Sequence, residues 1–264
     1  MVTVFKNRVA LVTGSTSGIG LGLAEGLAQA GTHVALNGFG DPAHIEQLVK
    51  RLRAVHSVEV DFFDADLTSG DQARELVNRV VERFGHLDIL INNAGMQHVS
   101  PLESFPAEKW EAIIALNLSA SFYTTQAALP GMRKQGYGRI INIASAHGLV
   151  ASPYKGAYVA AKHGLVGLTK TAALEVAEEN DLTVNAICPA YVRTPLVEGQ
   201  IADQAKAHGM SEDQVIRDVI LAAQPNKRFV TLEELAALTR LLCSHEGRSF
   251  NGAALAMDGG WTAR

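Results

Sequence analysis

The sequence predicts an α/β protein: a Rossmann-like, doubly wound parallel sheet of about seven strands with helices on both faces and a helical lid. Three patterns carry this. Short apolar runs rich in β-formers recur at 8–13, 33–37, 58–63, 87–92, 139–144, 183–188 and 253–257. Most run through consecutive apolar positions instead of alternating, as strands covered on both faces do. The segments between them begin as helices do: Asp41-Pro42 reads as an N-cap and N1 proline, Pro106 as a second N1 proline, and Thr231 with Glu234 as a capping box. The first run ends in the glycines Gly14, Gly18 and Gly20, where a strand turns into a helix. Ligands of such sheets bind beyond the carboxyl ends of the strands. The interval 194–224 has helical character but leads directly to no strand, so a lid crossing those ends is expected there. No repeat or linker interrupts the chain, and one domain over 1–264 is expected.

Bulk properties exclude several classes. A chain of 264 residues with 47% hydrophobic content can bury one large core. A net charge of −4 without a Lys/Arg block gives no footprint for nucleic acid or an anionic membrane. No apolar stretch approaches the roughly 18 residues needed to span a bilayer, and no signal segment is evident, so a cytoplasmic protein is expected. Cys188 and Cys243 stand in apolar segments, as buried thiols do, and the histidines show no ligand-spaced cluster, so no metal is expected.

The first strand leads into Gly14-Ser15-Thr16-Ser17-Gly18-Ile19-Gly20. Glycines there permit a tight turn and present the free N–H groups of a helix N-terminus to a pyrophosphate. Alone, the pattern is equally a tight turn between a closely packed strand and helix. The second strand ends in Asn37-Gly38-Phe39-Gly40. That position often holds an acid for NAD or an arginine for NADP. Neither is present, and the missing cation favours NAD, with Phe39 at the adenosine end. Asp66-Leu67 after the third strand reads either as an adenine-side pair or as the approach to a helix N-terminus. Asn92-Asn93-Ala94-Gly95 after the fourth strand is suited to line a cofactor or to tie strands together, and by itself is also an ordinary turn.

Ser145 ends the fifth strand, and Tyr158 and Lys162 follow four apart on a helix, so they share a face. Bringing a tyrosine from a pKa of about 10 to near 7 requires roughly 4 kcal/mol in favour of phenolate. One cation at about 4 Å supplies about 4 kcal/mol at an effective dielectric near 20, and less at ~5–6 Å. Lys162 alone falls short, and the positive ring of an oxidised nicotinamide would add the remainder. As an isolated pair, the two read more simply as a packed ring and a solvated amine than as a catalytic pair.

Together these residues resemble the short-chain dehydrogenase/reductase family, in motif order and spacing and over essentially the whole chain: the glycine turn at 14–20, NNAG at 92–95, Asn117, Ser145 and Tyr158 with Lys162. The resemblance implies that Tyr158 is the acid/base, Ser145 binds the reacting oxygen, Lys162 holds the nicotinamide ribose and lowers the Tyr158 pKa, and Asn117 supports a proton relay. It implies cofactor contacts from Gly14, Thr16, Ser17, Gly18, Ile19, Gly20, Phe39, Asp66, Leu67, Asn93, Ala94, Gly95, Tyr158 and Lys162, and from Pro189, Val192 and Thr194 in the loop 189–195. Ala190 departs from the family's usual glycine. A homotetramer is also implied.

Gln97, His147, Lys155 and Gln200 flank this set and are expected to converge near the reacting carbon. A small substrate carboxylate needs such a cation and donors when it leaves water. The bland alternative is a solvated Lys155 and a loop Gln97. The runs at 95–98, 145–148, 152–164 and 259–264 resemble the branch of the family that acts on short 3-hydroxy acids, which implies NAD-dependent oxidation of (R)-3-hydroxybutyrate to acetoacetate. An NADP-dependent 3-ketoacyl thioester reductase, a sugar dehydrogenase or an idle NAD-binding scaffold are the alternatives.

Overall fold

In the computed structural model, residues 5–179 and 181–263 are described, without the side chains of 195, 196, 200, 203, 204, 207 and 208. Seven strands form one sheet in the order β3-β2-β1-β4-β5-β6-β7. They are β1 (Val9–Val12), β2 (His33–Leu36), β3 (Val60–Phe62), β4 (Ile89–Asn92), β5 (Gly138–Ile143), β6 (Leu182–Pro189) and β7 (Ala254–Met257). Every pairing is parallel, and each strand falls within a residue or two of an expected run.

Parallel neighbours require crossovers, and helices supply them: α1 (Gly18–Gln29), α2 (Pro42–His56), α3 (Gly70–Phe84), α4 (Ala107–Ile114), α5 (Ala120–Gln135), α6 (Gly156–Glu175), α7 (Pro195–His208), α8 (Glu212–Val215) and α9 (Leu232–Cys243). Strand β1 shows why its run is continuously apolar. Ala10 and Val12 join one core with Leu23, Leu27, Leu235 and Leu242 of α1 and α9. Val9 and Leu11 join the opposite core with Leu76, Val80 and Met132 of α3 and α5. The order reverses between β1 and β4, where a doubly wound sheet opens its ligand crevice.

The expected helix ends are present. Asp41 accepts from the His44 N–H at 2.9 Å ahead of Pro42. The Thr231 hydroxyl accepts from the Glu234 N–H at 3.2 Å while Glu234 accepts from the Thr231 N–H at 2.9 Å. Pro106 stands one place earlier than expected, at the N-cap: its ψ of 129° is extended, and its carbonyl accepts from the N–H groups of Lys109 and Trp110.

One feature has no signature in the sequence pattern. Helices α4 and α5 are continuous through a π turn at Ala115–Ser119, which turns Asn117 inward to 1% exposure. Such turns interrupt the regular ladder and concentrate at functional sites. Behind it, a buried polar chain links strands and helices. Asn92 and Asn142 lie opposite each other in register, and the Asn92 amide donates to Asn142 Oδ1 at 2.9 Å. Asn142 donates to the Thr169 hydroxyl at 2.8 Å, and the Thr124 hydroxyl donates to Asn92 Oδ1 at 2.7 Å.

The interval between β6 and α9 is helical, as expected. After α7 and α8 comes a second π turn, Ile216–Ile220. Ile201, Val215, Ile220 and Leu221 form a small core of their own, with Tyr191 and Phe229 packed against it. Among the described residues no helix is long and apolar enough to cross a membrane.

Helix α1 approaches α9 so closely that a Cβ on Gly26 would meet the Ala236 Cβ at 2.5 Å, whereas one on Gly131 in α5 would meet nothing within 4 Å. Gly→Ala ordinarily stabilises a helix interior by about 1 kcal/mol. Urea unfolding should therefore show Gly131→Ala stabilised by about that amount, but Gly26→Ala destabilised by about 1 kcal/mol, because overpacking of about 1–3 kcal/mol outweighs the propensity gain.

Candidate active site

The glycine turn is shaped by what lies against it. Gly14 adopts φ +62°, and a Cβ there would stand 2.9 Å from the Ala94 Cα. The Thr13 hydroxyl accepts from the N–H groups of Asn93 and Ala94 at 2.9 and 3.0 Å, and the Asn93 amide donates to the Thr13 and Gly14 carbonyls at 2.9 and 3.1 Å. Helix α1 then begins with Ser17 as an N-cap that makes no side-chain cap bond, and no acid stands in its first turn. Its leading N–H groups are left free for an anion.

Above these strand ends lies a cleft of about 500 Å³. Gly14, Thr16, Ser17, Gly18, Ile19, Phe39, Leu67, Asn93, Ala94, Gly95, Tyr158, Lys162, Pro189 and Thr194 line it, as expected. A free helix N-terminus, apolar side walls and a glycine floor fit a dinucleotide. Three expected contacts stand elsewhere. Gly20 sits behind the turn, where a Cβ would meet the Gly14 carbonyl oxygen at 2.3 Å. Val192 lines the adjoining pocket and bridges to Val230. Asp66 is exposed and accepts from the N–H and hydroxyl of Thr68 at 2.9 and 2.7 Å, bonds that hold its carboxyl below the usual range. Asn37 is buried with its amide donating to the Phe63 carbonyl at 3.1 Å, while Phe39 is 74% exposed. Lys162 is the only lysine or arginine among the described residues lining the cleft.

At the inner end of the cleft stand Ser145, Tyr158 and Lys162. The Lys162 ammonium is 5.6 Å from the centre of the Tyr158 ring and donates to the Ile143 carbonyl at 2.7 Å. Burial pulls Lys162 down to about 8. Burial pushes the Tyr158 phenol up, and its hydrogen bond with Ser145 works in the opposite direction. The Asn117 side chain is committed to Met96, accepting from its N–H and donating to its carbonyl, both at 2.9 Å. Ala190 takes the place of the usual glycine without positive φ, and its N–H donates to the Met257 carbonyl at 3.0 Å.

A second pocket of about 200 Å³ adjoins Ser145 and Tyr158, and brings together Gln97, His147 and Lys155 as expected. The fourth expected contact, Gln200, belongs to α7, but its side chain lies outside the described residues. His147 is fixed by its N–H donating to the Ser145 hydroxyl at 3.2 Å and by a ring nitrogen 2.7 Å from the Ser152 hydroxyl. Sequence reasoning missed two aromatic walls. Trp261 meets His147 edge-on at 5.1 Å and stacks on Tyr191 at 6.4 Å with the planes 4° apart. The Lys155 ammonium lies 5.7 Å above the Tyr191 ring and donates to its hydroxyl at 3.5 Å. Tyr191 stands in the loop 189–195 and Trp261 in the C-terminal run 259–264, but only the fold shows that they meet.

Comparison with known proteins agrees with this geometry. A family model described as short chain dehydrogenase matches residues 8–205. The chain is 53% identical to a D-beta-hydroxybutyrate dehydrogenase of Rhizobium meliloti, over 97% of this chain and 99% of that protein. It is 48% identical to another of the same name from Cupriavidus necator, over 99% and 100%. Among solved structures, L-sorbose reductase from Gluconobacter frateurii, complexed with NADPH and L-sorbose, superposes with a TM-score of 0.93 at 31% identity, covering all of both chains.

Burial and the neighbouring Lys155 hold His147 at about 4, below its ordinary 6.5. The fold thus favours the neutral ring, and the unfolded chain binds more protons between those values. The stability this provides is complete above 6.5 and is lost as pH falls toward 4. Urea midpoints measured from about pH 7 to about pH 4.5 should fall less for His147→Gln than for the unmodified protein, since the variant has no ring to protonate.

Proposed function

The chain belongs to the short-chain dehydrogenase family, and from that footing we propose that it catalyses the reversible oxidation of (R)-3-hydroxybutyrate to acetoacetate with NAD, as one unit over 1–264. The observation that carries the substrate is the second pocket, where one cation, Lys155, and the donors Gln97 and His147 surround Ser145 and Tyr158. A desolvated carboxylate needs that set, and a neutral alcohol does not. The identity to two D-beta-hydroxybutyrate dehydrogenases supports the same substrate.

In this mechanism Lys155, Gln97 and His147, with Gln200 from the lid, hold the carboxylate. Ser145 donates a hydrogen bond to the reacting oxygen. Tyr158, as phenolate, takes the hydroxyl proton as the C–O bond becomes a carbonyl, and returns it in the reverse direction. A nicotinamide held at the inner end of the cleft by Tyr158, Lys162, Pro189 and Thr194 would supply the acceptor for the C3 hydride. Lys162 binds the ribose and favours the phenolate. Since the Asn117 side chain is committed to Met96, its contribution to proton relay runs through the backbone of the π turn. The lid over 194–224 excludes water during transfer.

The preference for NAD rests on Phe39 and on the absence of a cation for a 2′-phosphate among the described residues around it. The exposed Trp110, Phe122 and Leu174 on α4, α5 and α6 support a homotetramer.

Absorbance assays with hydroxybutyrate and a neutral secondary alcohol, each with NAD and NADP, test the reading. The unmodified protein should favour hydroxybutyrate with NAD, and failure to turn over any short hydroxy acid would end it. Lys155→Ala should raise KM for hydroxybutyrate roughly 10- to 100-fold, the size of a lost charge-assisted bond, and leave the neutral alcohol unchanged. Equal effects on both would remove the carboxylate assignment. Tyr158→Phe should abolish turnover while NAD binding, read by NADH fluorescence or calorimetry, is retained.

A further inference from the structure

We infer that Gln224, where the lid returns to the body of the protein, is the positioning residue of the substrate pocket. It is fully buried, and both ends of its amide are engaged. Its carbonyl oxygen accepts from the Tyr191 N–H at 3.0 Å, and its amide nitrogen donates to the Arg228 carbonyl at 2.9 Å. The Tyr191 carbonyl in turn accepts from the Val230 N–H at 3.0 Å. Both backbone groups of Tyr191 are thus held by the segment that leaves the lid, and the adjacent Val192 pairs with Val230.

What Gln224 holds is the backbone beneath the pocket's aromatic wall. The Tyr191 ring carries Trp261 on its face and lies under the Lys155 ammonium. The same lid exit also secures the Trp261 loop, because the Asn226 N–H donates to the Gly259 carbonyl at 3.3 Å. Pro225 lies against Gly260. Two walls of the pocket, from the ends of β6 and β7, meet the lid exit at neighbouring residues, the first at the Gln224 amide and the second at Pro225 and Asn226. A glutamine is suited to this because it donates and accepts at once without charge; an apolar isostere would orphan a buried N–H and a carbonyl.

The inference rests on the proposed function for its kinetic readout, and a substrate-independent readout separates the two. In a Trp110→Phe background, Trp261 emission reports the stack directly without any substrate. Gln224→Met should shift that emission, raise KM for hydroxybutyrate about tenfold, the scale expected of an orphaned buried donor, and leave NADH affinity within about twofold, because Tyr191 and Trp261 line the substrate pocket but not the cofactor cleft. Gln224→Glu should show a KM that recovers toward acid pH, where a protonated carboxyl both donates and accepts, while the unmodified protein lacks that dependence. Unaltered Trp261 emission in a folded Gln224→Met variant overturns the inference whatever the substrate proves to be. So does a variant that loses stability and NADH affinity while its folded fraction keeps the KM of the unmodified protein. If the unmodified protein does not oxidise hydroxybutyrate, the functional reading fails while the emission test still decides the role of Gln224.

Discussion

Strands β1 and β4 are neighbours in the sheet although they are distant in the chain, and the Thr13 hydroxyl holds their ends together. It accepts two backbone N–H groups from the β4 exit and donates to the Ile91 carbonyl at 3.3 Å. This junction is where the strand order reverses, so the crevice opens directly above it. The Asn93 amide clamps the Gly14 turn from the same point. Gly95 and Met96, next along the β4 exit, are then fixed from the far side by Asn117. The free end of α1 and the π turn at Asn117 are both located with respect to this single seam.

Tyr158 and Lys162 gain a different meaning from their surroundings. Placed 5.6 Å from the ring centre and tied to the Ile143 carbonyl, the ammonium is a weaker partner to the phenol than a contact ion pair would be. Burial disfavours charge on both groups, raising one and lowering the other. The resting pair is therefore poised against ionisation of the phenol. A nearby positive charge is worth more in such a dry setting than in water, so in the proposed mechanism ionisation of Tyr158 is linked to occupancy of the cleft, and proton abstraction without a hydride acceptor in place is disfavoured.

Much of this was legible in the sequence, for identifiable reasons. Apolar runs located all seven strands, most plainly the inner strands β1, β4, β5 and β6, which are buried throughout, while the edge strands β3 and β7 are only partly covered; the capping residues at 41 and 231 marked helix starts because orphan N–H groups need local acceptors. Ser145, Tyr158 and Lys162 were readable from order and spacing. The π turn was not, since Ala115–Ser119 carries no breaker and only the tertiary setting of Asn117 reveals it. Asp66 could not be separated from a turn former, because its decisive partner, Thr68, is two residues away and is as ordinary in a turn as at a binding site. Tyr191 and Trp261 were missed because two aromatic residues 70 positions apart carry no pattern in the chain that pairs them.

The chain of amides from Asn92 through Asn142 to Thr169 bears on how the protein reaches its structure at all. The aliphatic stretches of β4 and β5, Ile89-Leu90-Ile91 and Ile140-Ile141, would by themselves accept several alignments at little cost, since one branched aliphatic side chain replaces another. A slip of one residue, however, would turn Asn142 to the opposite face of the sheet and strip partners from Asn92, Asn142 and Thr169 within hydrocarbon. At about 1–3 kcal/mol for each orphaned group, that outweighs what a collapsed but misaligned sheet would gain. The buried amides thus act as an assembly checkpoint, rejecting near-native mispairings that hydrophobicity alone would tolerate.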